Sequence, residues 1–452
     1  MKKKLTVQEY VVVASMLFGL FFGAGNLIFP VHMGQMAGSQ LVPATLGFLI
    51  TGVGLPLLSV AALGISKSEG LFDLSRKVSR PYAYFFTCLL YLTIGPFFAI
   101  PRCATTAFTV GIEQAVPQAA EQLRLWLLVF SAVFFAAALL FSLFPGKILT
   151  WVGKILNPFF LLFLGILIIV ALVKPSAAIS AVAPEGAYAS QAFSTGFLEG
   201  YNTMDVLAGL AFGIIVVQVI RELGVTDADA VASSTVKAGV FSSLLMALIY
   251  LAVTVVGAQS RGLFETSENG GIALAQIARH YLGSAGLVIL AATVTLACLK
   301  TSVGLITSCA ETFCGMFPKG PKYRAWAVLF TLISFALSNF GLSTIISYSV
   351  PVLMFLYPLA IALVLLALFG RFYRHDRAVY ISVIVCTLLA ALYDLICALP
   401  EGLYDALRAD AVQAFGLRVL PFAGAGLGWI CPLALGFVIG LAVHLMQKFR
   451  TK

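Results

Sequence analysis

Long apolar runs with few charges recur along the whole chain and dictate what it can fold into. About 20 apolar residues cross the roughly 30 Å hydrocarbon core of a bilayer as one α-helix. Of the 452 residues, 61% are apolar and 10% are charged, whereas soluble proteins carry about 25% charged residues. The sequence therefore predicts an all-α polytopic membrane protein. We place about twelve transmembrane helices, at approximately 9–32, 41–63, 81–111, 125–144, 148–173, 196–220, 238–258, 285–316, 325–341, 345–369, 378–398 and 425–446.

The net charge of +9 follows membrane topology and is not gathered in a basic polar domain, so we exclude a nucleic-acid partner. With the N-terminus placed in the cytoplasm, twenty Lys and Arg residues fall in cytoplasmic segments and six in outer segments. Cytoplasmic loops of membrane proteins carry an excess of Lys and Arg. We therefore expect a multi-pass protein with both termini in the cytoplasm and an even number of spans.

The first apolar run is interrupted at bilayer depth. Gly19, Gly23, Gly25, Asn26 and Pro30 fall within twelve residues. Inside a helix, glycine costs about 1 kcal/mol and proline about 3 kcal/mol relative to alanine. Non-helical backbone survives in a membrane only where it lines protein or a water-filled cavity. We therefore predict a break around residues 23–26.

The sixth run repeats this device over residues 199–205, where Asp205 is expected to begin the second half of the helix. Five spans separate the two breaks, so the two helices enter the membrane from opposite sides. Paired interrupted helices indicate an inverted repeat with a midplane binding site. We expect one transmembrane domain over 1–452, with repeats at approximately 9–173 and 196–369 and additional helices over 378–446. The alternative is that the glycines merely allow close helix packing.

A broken helix exposes N–H groups at one end and carbonyl groups at the other. The amides near Ala24 and Gly25 suit a carboxylate, and the opened backbone from Glu199 to Thr203 suits an ammonium group. The third run is predicted to be irregular, and its large apolar residues to form a side-chain pocket or part of the core. The candidate substrate-binding residues are Gly23, Ala24, Gly25, Asn26, Ile94, Phe97, Glu199, Gly200, Tyr201, Asn202, Thr203 and Met204.

A cation site is predicted beside the first break. The carbonyl groups of Gly19 and Phe22, with the hydroxyl groups of Thr301 and Ser302, offer the hard oxygen ligands that Na⁺ prefers. Hydroxyl groups in membrane helices often bond to their own helix instead. The adjacent Lys300 repels Na⁺ unless its side chain extends away, and it offers a proton carrier in place of the metal ion.

Other charged residues fall in or near the predicted helices. Arg102 and Asp394 are expected near the outer face. Asp205 is expected either to cap a half-helix or to face an ammonium group.

Four segments together resemble the bacterial branched-chain amino acid:cation symporter family. They are Gly23-Ala24-Gly25-Asn26 with Phe29-Pro30, Gly95-Pro96 with Ala99-Ile100-Pro101-Arg102, Gly200-Tyr201-Asn202-Thr203-Met204-Asp205, and Lys300-Thr301-Ser302-Val303-Gly304-Leu305. The resemblance covers nearly the whole chain. It implies a LeuT-type five-plus-five inverted repeat of the amino acid–polyamine–organocation superfamily, with helices one and six discontinuous.

The same resemblance implies uptake of leucine, isoleucine and valine across the bacterial inner membrane, driven by Na⁺ or H⁺ and without a further cofactor. It also implies that Ala24 and Gly25 bind the substrate carboxylate, and that Gly19, Phe22, Thr301 and Ser302 bind the cation. A transporter of the same fold for another neutral amino acid or small zwitterion stays open as the alternative. The coupling ion, the preference among the three substrates and the oligomeric state also stay open. An ion channel or a membrane enzyme is disfavoured, because the sequence carries no Walker motif and no metal-ligand cluster.

Overall fold

The computed structural model describes residues 4–66, 68, 70–116, 119–143 and 157–450, which contain helices and no β-strand. The start of the predicted 148–173 helix lies outside the described residues, as do Lys147 and Lys154. In chain order the helices are α1 (Val7–Phe21), α2 (Gly25–Ala37), α3 (Leu41–Leu49), α4 (Leu55–Ser66), α5 (Leu71–Arg76), α6 (Arg80–Leu92), α7 (Ala99–Val110), α8 (Ala120–Leu143), α9 (Asn157–Val173), α10 (Tyr188–Glu199), α11 (Asp205–Glu222), α12 (Ala228–Ser260), α13 (Gly270–Met316), α14 (Tyr323–Ser338), α15 (Leu342–Phe369), α16 (Arg377–Cys397), α17 (Glu401–Ala406), α18 (Asp410–Val419) and α19 (Ile430–Arg450).

Eight helical segments of the described residues are long and apolar enough to cross a membrane, and three shorter apolar helices accompany them. The predicted runs coincide with these elements. Of the twelve predicted transmembrane helices, numbers one, two, three and six each consist of two parts: α1 with α2, α3 with α4, α6 with α7, and α10 with α11. The other eight correspond, in chain order, to α8, α9, α12, α13, α14, α15, α16 and α19. The prediction of an all-α polytopic protein with discontinuous helices one and six is confirmed.

Helices two and three are irregular because each contains a π-helical turn. The first turn spans Ile50–Gly54 and the second spans Thr93–Phe97, where Gly95 leaves the helical conformation at φ −96° and ψ −123°. Pro96 follows it and cannot donate a helical hydrogen bond. The irregularity that was predicted for helix three is therefore confirmed.

The packing of the helices follows the exchange expected of an inverted repeat. Helix one packs along helix seven through α1, α2 and α12, whereas helix six packs along helix two through α10, α11, α3 and α4. Helices six and seven are therefore the counterparts of helices one and two. Outside this arrangement, α16 packs against both α15 and α19. The two broken helices come together at the centre, where they form the candidate site.

Helix eight extends beyond the predicted 285–316. It begins at Gly270 and bends at Gly283, whose φ of 67° and ψ of −165° belong to a region that glycine alone adopts freely. Arg279 and His280 interrupt the apolar run between the two parts, so the predicted helix eight began only after them. A Cβ at Gly283 would meet no atom of the described chain within 4 Å, so the constraint there lies in the backbone.

We expect Gly283→Ala to lower the free energy of unfolding by about 1–3 kcal/mol, because alanine is strained in this conformation. Thermal unfolding of the purified protein in detergent measures the effect. Gly315→Ala is the matched control, since Gly315 lies in the same helix with an ordinary backbone and open space. The control should unfold at or slightly above the wild-type temperature. Equal behaviour of the two variants would contradict this assignment.

Candidate functional site

The break of helix one consists of three residues, Phe22, Gly23 and Ala24, of which Phe22 has an extended backbone. In a continuous helix the N–H of Gly23 would bond to the carbonyl group of Gly19. It donates instead to Asn26 Oδ1, at 2.7 Å. The Asn26 side chain therefore stabilises the break and removes the usual helical donor from the Gly19 carbonyl.

The break of helix six is the 3-10 turn Gly200–Thr203 followed by Met204, which adopts the left-handed conformation at φ 61° and ψ 15°. That conformation costs a non-glycine residue about 1–2 kcal/mol, so the surrounding structure must hold it. A Cβ at Gly200 would overlap the Thr51 hydroxyl of helix two, so only glycine fits there. Helix six restarts at Asp205, as predicted.

A buried hydrogen-bond network joins the two breaks. Asn26 Nδ2 donates to Asp205 Oδ2 at 2.8 Å, and the Tyr250 hydroxyl of helix seven donates to the same oxygen at 2.9 Å. Asn26 Nδ2 also donates to the Tyr250 hydroxyl. The three residues are at most 2% exposed. The Asp205 carboxylate thus binds groups on helices one and seven.

A cavity of about 100 Å³ lies between the breaks, bounded by helices one, three, six and eight. Three charged side chains line it, namely Arg102 from α7, Asp205 from α11 and Lys300 from α13. Ile94 and Phe212 contribute to its apolar wall. Sites for drug-sized molecules begin at about 300 Å³, so this cavity suits a much smaller ligand.

Most of the predicted site residues meet at this cavity. Those that line it are Gly19, Gly23, Ala24, Gly25, Asn26, Ile94, Thr203, Met204 and Thr301. Glu199, Gly200, Tyr201 and Asn202 form or precede the turn of helix six and do not line the cavity. Tyr201 stacks on Tyr357, with the ring centres 4.0 Å apart. Phe97 is 38% exposed and also lies outside the cavity. The substrate-binding roles of all these residues stay predictions.

Two of the four predicted cation ligands line a second, smaller cavity. Gly19 and Phe22 line a space of about 10 Å³, opposite Ala297 and Cys298 of helix eight. Such a volume matches a single water-sized particle. This second cavity therefore brings the two predicted carbonyl ligands next to helix eight.

The two predicted hydroxyl ligands differ in their surroundings. Thr301 Oγ1 donates to the carbonyl group of Ala297 at 3.0 Å, and Thr301 lines the larger cavity. The Ser302 hydroxyl is buried and, within the described residues, bonds to no oxygen or nitrogen atom. An orphaned hydroxyl group is a suitable ligand for a cation, but Ser302 lines neither cavity. The Na⁺ role of these four residues stays a prediction.

Sequence reasoning missed two residues of the central network and cavity. Arg102 was expected near the outer face, but it is 4% exposed and lines the cavity. The expectation was wrong because Arg102 lies in the first turn of α7, directly after the irregular turn Thr93–Phe97, and so at the level of the cavity rather than at the end of helix three. Tyr250 carried no signal, since it is one aromatic residue in a long apolar run.

Solved structures share this architecture. Mhp1, a nucleobase-cation-symport-1 family transporter in a closed conformation with bromovinylhydantoin bound, superposes with a TM-score of 0.61 at 14% identity, over 98% of this chain and 93% of its own. MhsT in complex with L-phenylalanine gives a TM-score of 0.57 at 15% identity, over 98% of this chain and 99% of its own. Both have the LeuT-type fold, so the predicted fold class is confirmed.

Sequence relatives match along the full chain. A branched-chain amino acid permease of Lactobacillus delbrueckii subsp. lactis, BrnQ, is 53% identical over 100% of both chains. The BrnQ permeases of Bacillus subtilis and Escherichia coli K12 are 39% and 37% identical, over 100% and 98% of this chain and 100% and 97% of their own. The family model described as branched-chain amino acid transport protein matches residues 6–447. This multi-pass membrane protein is thus a transport protein rather than an enzyme, and it belongs to the branched-chain amino acid transport protein family.

Proposed function

We propose that the protein is a secondary active symporter that imports leucine, isoleucine and valine, coupled to Na⁺ or H⁺, by alternating access. The observation that carries this proposal is the small cavity between the two helix breaks, which combines charges of both signs with an apolar wall. An aliphatic amino acid combines the same three features. The names of the relatives, branched-chain amino acid permeases, support this cargo.

The apolar wall supports an aliphatic side chain. Ile94, Ala208, Phe212 and Leu305 line the cavity, and burying an aliphatic side chain against such a wall contributes about 1.5–3 kcal/mol. Another small neutral amino acid is the second candidate, because the wall alone does not select a branched side chain.

The orientation follows from the distribution of Lys and Arg, and the location follows from the relatives. Twenty Lys and Arg residues on one side against six on the other support cytoplasmic N- and C-termini. The bacterial relatives support the inner membrane as the location. With this orientation the protein takes up its substrate from the outer side of the membrane and releases it into the cytoplasm.

Each coupling ion has its own support. The small cavity at Gly19 and Phe22 and the orphaned hydroxyl of Ser302 favour Na⁺. Lys300 favours H⁺, because its positive charge lies beside Thr301 in the larger cavity and repels a metal ion.

Uptake of leucine into proteoliposomes, with Na⁺ and proton gradients imposed separately, tests the proposal. One gradient should drive accumulation against the leucine gradient, and valine and isoleucine should compete better than alanine or phenylalanine. Accumulation under neither gradient would contradict symport. A substrate-independent ion current would indicate a channel instead.

If Na⁺ is the coupling ion, Thr301→Ala combined with Ser302→Ala should abolish the stimulation of leucine uptake by Na⁺, because two oxygen ligands are removed. Thr293→Ala is the matched control, since the Thr293 hydroxyl also bonds to its own helix, at 2.8 Å from the Ile289 carbonyl, and lines neither cavity. The control should keep the stimulation. Unchanged stimulation in the double variant would remove the proposed ion site.

A further inference from the structure

A buried arginine meets the broken end of helix one. Arg102 is 4% exposed, and its guanidinium carbon lies 5.0 Å from the centre of the Phe29 ring. A Cβ at Gly25 would come 3.0 Å from Arg102 Nη2, so the guanidinium group passes directly over the start of α2. Arg102 Nη1 is buried and has no hydrogen-bond partner among the residues that the structure describes. A desolvated charge is costly unless it is paired, so this nitrogen suits an anionic group.

The start of α2 favours an anion independently. This helix of 13 residues has no side-chain cap at its N-terminus. The N–H groups of Leu27 and Ile28 bond to the Ala24 carbonyl, whereas the amides before them have no partner within the helix. The positive end of a helix dipole and free N–H groups together attract carboxylates. Arg102 and α2 therefore offer donors to the same anion.

A buried carboxylate lies at another point of the same cavity. Asp205 is 1% exposed, and its hydrogen bonds from Asn26 and Tyr250 both fall on Oδ2. Arg102 and Asp205 line one cavity of about 100 Å³, yet no ion pair joins these two side chains. Two opposite charges that are held apart in this way complement a zwitterion.

We propose that Arg102 and the first amides of α2 bind the carboxylate of the cargo, and that Asp205 binds its ammonium group. This assignment rests on the proposed function, because it requires a cargo with both charges. It adds Arg102 as a binding residue that the sequence had not placed in the site, and it chooses the ammonium role for Asp205 over the capping role. Arg102 suits the carboxylate better than Lys300 does, since its planar guanidinium group can donate two parallel hydrogen bonds and lies against the amides of α2.

Equilibrium binding of leucine to the full-length protein in detergent tests the assignment, with leucinamide as the competitor that lacks the carboxylate charge. Arg102→Met should weaken leucine binding about tenfold or more and leucinamide binding much less. The ratio of the leucine affinity to the leucinamide affinity should therefore fall. Arg102→Lys should recover part of the loss. Asp205→Asn should weaken both ligands by similar factors, while binding of 4-methylpentanoate, which lacks the ammonium group, should change little.

Arg261→Met is the matched control, since Arg261 pairs with Glu185 at 2.6 Å and does not line the cavity. It should keep the wild-type ratio. Equal losses of leucine and leucinamide in Arg102→Met would indicate a purely structural role and overturn the assignment, as would undiminished leucine binding. If Arg102→Met fails to fold, the reduced ratio in Arg102→Lys carries the test.

Failure of the proposed function gives a different result. In that case the wild-type protein binds none of leucine, isoleucine and valine. The charge assignment is then tested with alanine and alaninamide, and an unchanged ratio in Arg102→Met would overturn it.

Discussion

Replacing Asn26 with leucine should reduce the kcat/KM of substrate uptake at least about a hundredfold. The Asn26 side chain accepts from the Gly23 amide at 2.7 Å and donates to Asp205 at 2.8 Å, so it fixes both helix breaks. The substitution leaves a half-buried amide and a buried carboxylate each short of a partner. Each such loss costs about 1–3 kcal/mol, and more for a charged group. Two of them together account for the expected factor, at about 1.4 kcal/mol per tenfold.

Two further variants test how far the loss of uptake depends on this hydrogen-bond network. Tyr250→Phe removes the donor at 2.9 Å from Asp205 Oδ2 and the hydroxyl that accepts from Asn26 Nδ2, while the bond between Asn26 and Asp205 stays; it should cost about tenfold. Asn339→Leu removes an amide that donates to the Phe335 carbonyl at 2.7 Å, away from the cavity, and should change uptake little. Size-exclusion chromatography establishes folding in each case. A folded Asn26→Leu protein with normal uptake would show that transport does not depend on this network.

The positions of the two breaks could be predicted from sequence because their causes are local. Glycine and proline weaken a helix wherever they occur. Each break has its own group of glycines close together in sequence, one around Gly23 and one around Gly200. The direction of α7, in contrast, could not be predicted from the sequence. It depends on a π-helical turn whose geometry no composition reveals, and this turn carries Arg102 into the centre of the protein.

The network around Asp205 was beyond sequence reasoning for a second reason. Asn26, Asp205 and Tyr250 lie on three different helices and are separated by up to 224 residues. Their contact depends on how closely helices one, six and seven approach one another. Side-chain types alone do not fix such a distance, but small residues at the interfaces do.

Glycines fix the approach of helix one to helix seven. A Cβ at Gly34 of α2 would overlap the Thr254 carbonyl oxygen and come 2.9 Å from the Ala258 nitrogen. A Cβ at Gly257 of α12 would overlap the Val31 carbonyl oxygen. The two helices therefore touch through their backbones. Because Asn26 lies on α2 and Tyr250 on α12, their hydrogen bond exists only at this separation.

Gly34→Ala and Gly257→Ala should each lower the free energy of unfolding by more than about 3 kcal/mol, since a methyl group there forces two backbones apart. Uptake should fall with stability, because the link between Asn26 and Tyr250 opens. Thermal unfolding in detergent and leucine uptake measure the two effects. Gly165→Ala in α9 is the matched control, with no atom of the described residues within 4 Å of the added Cβ, and should unfold at or above the wild-type temperature. Wild-type unfolding and uptake in both variants would show that the site tolerates a wider separation of helices one and seven.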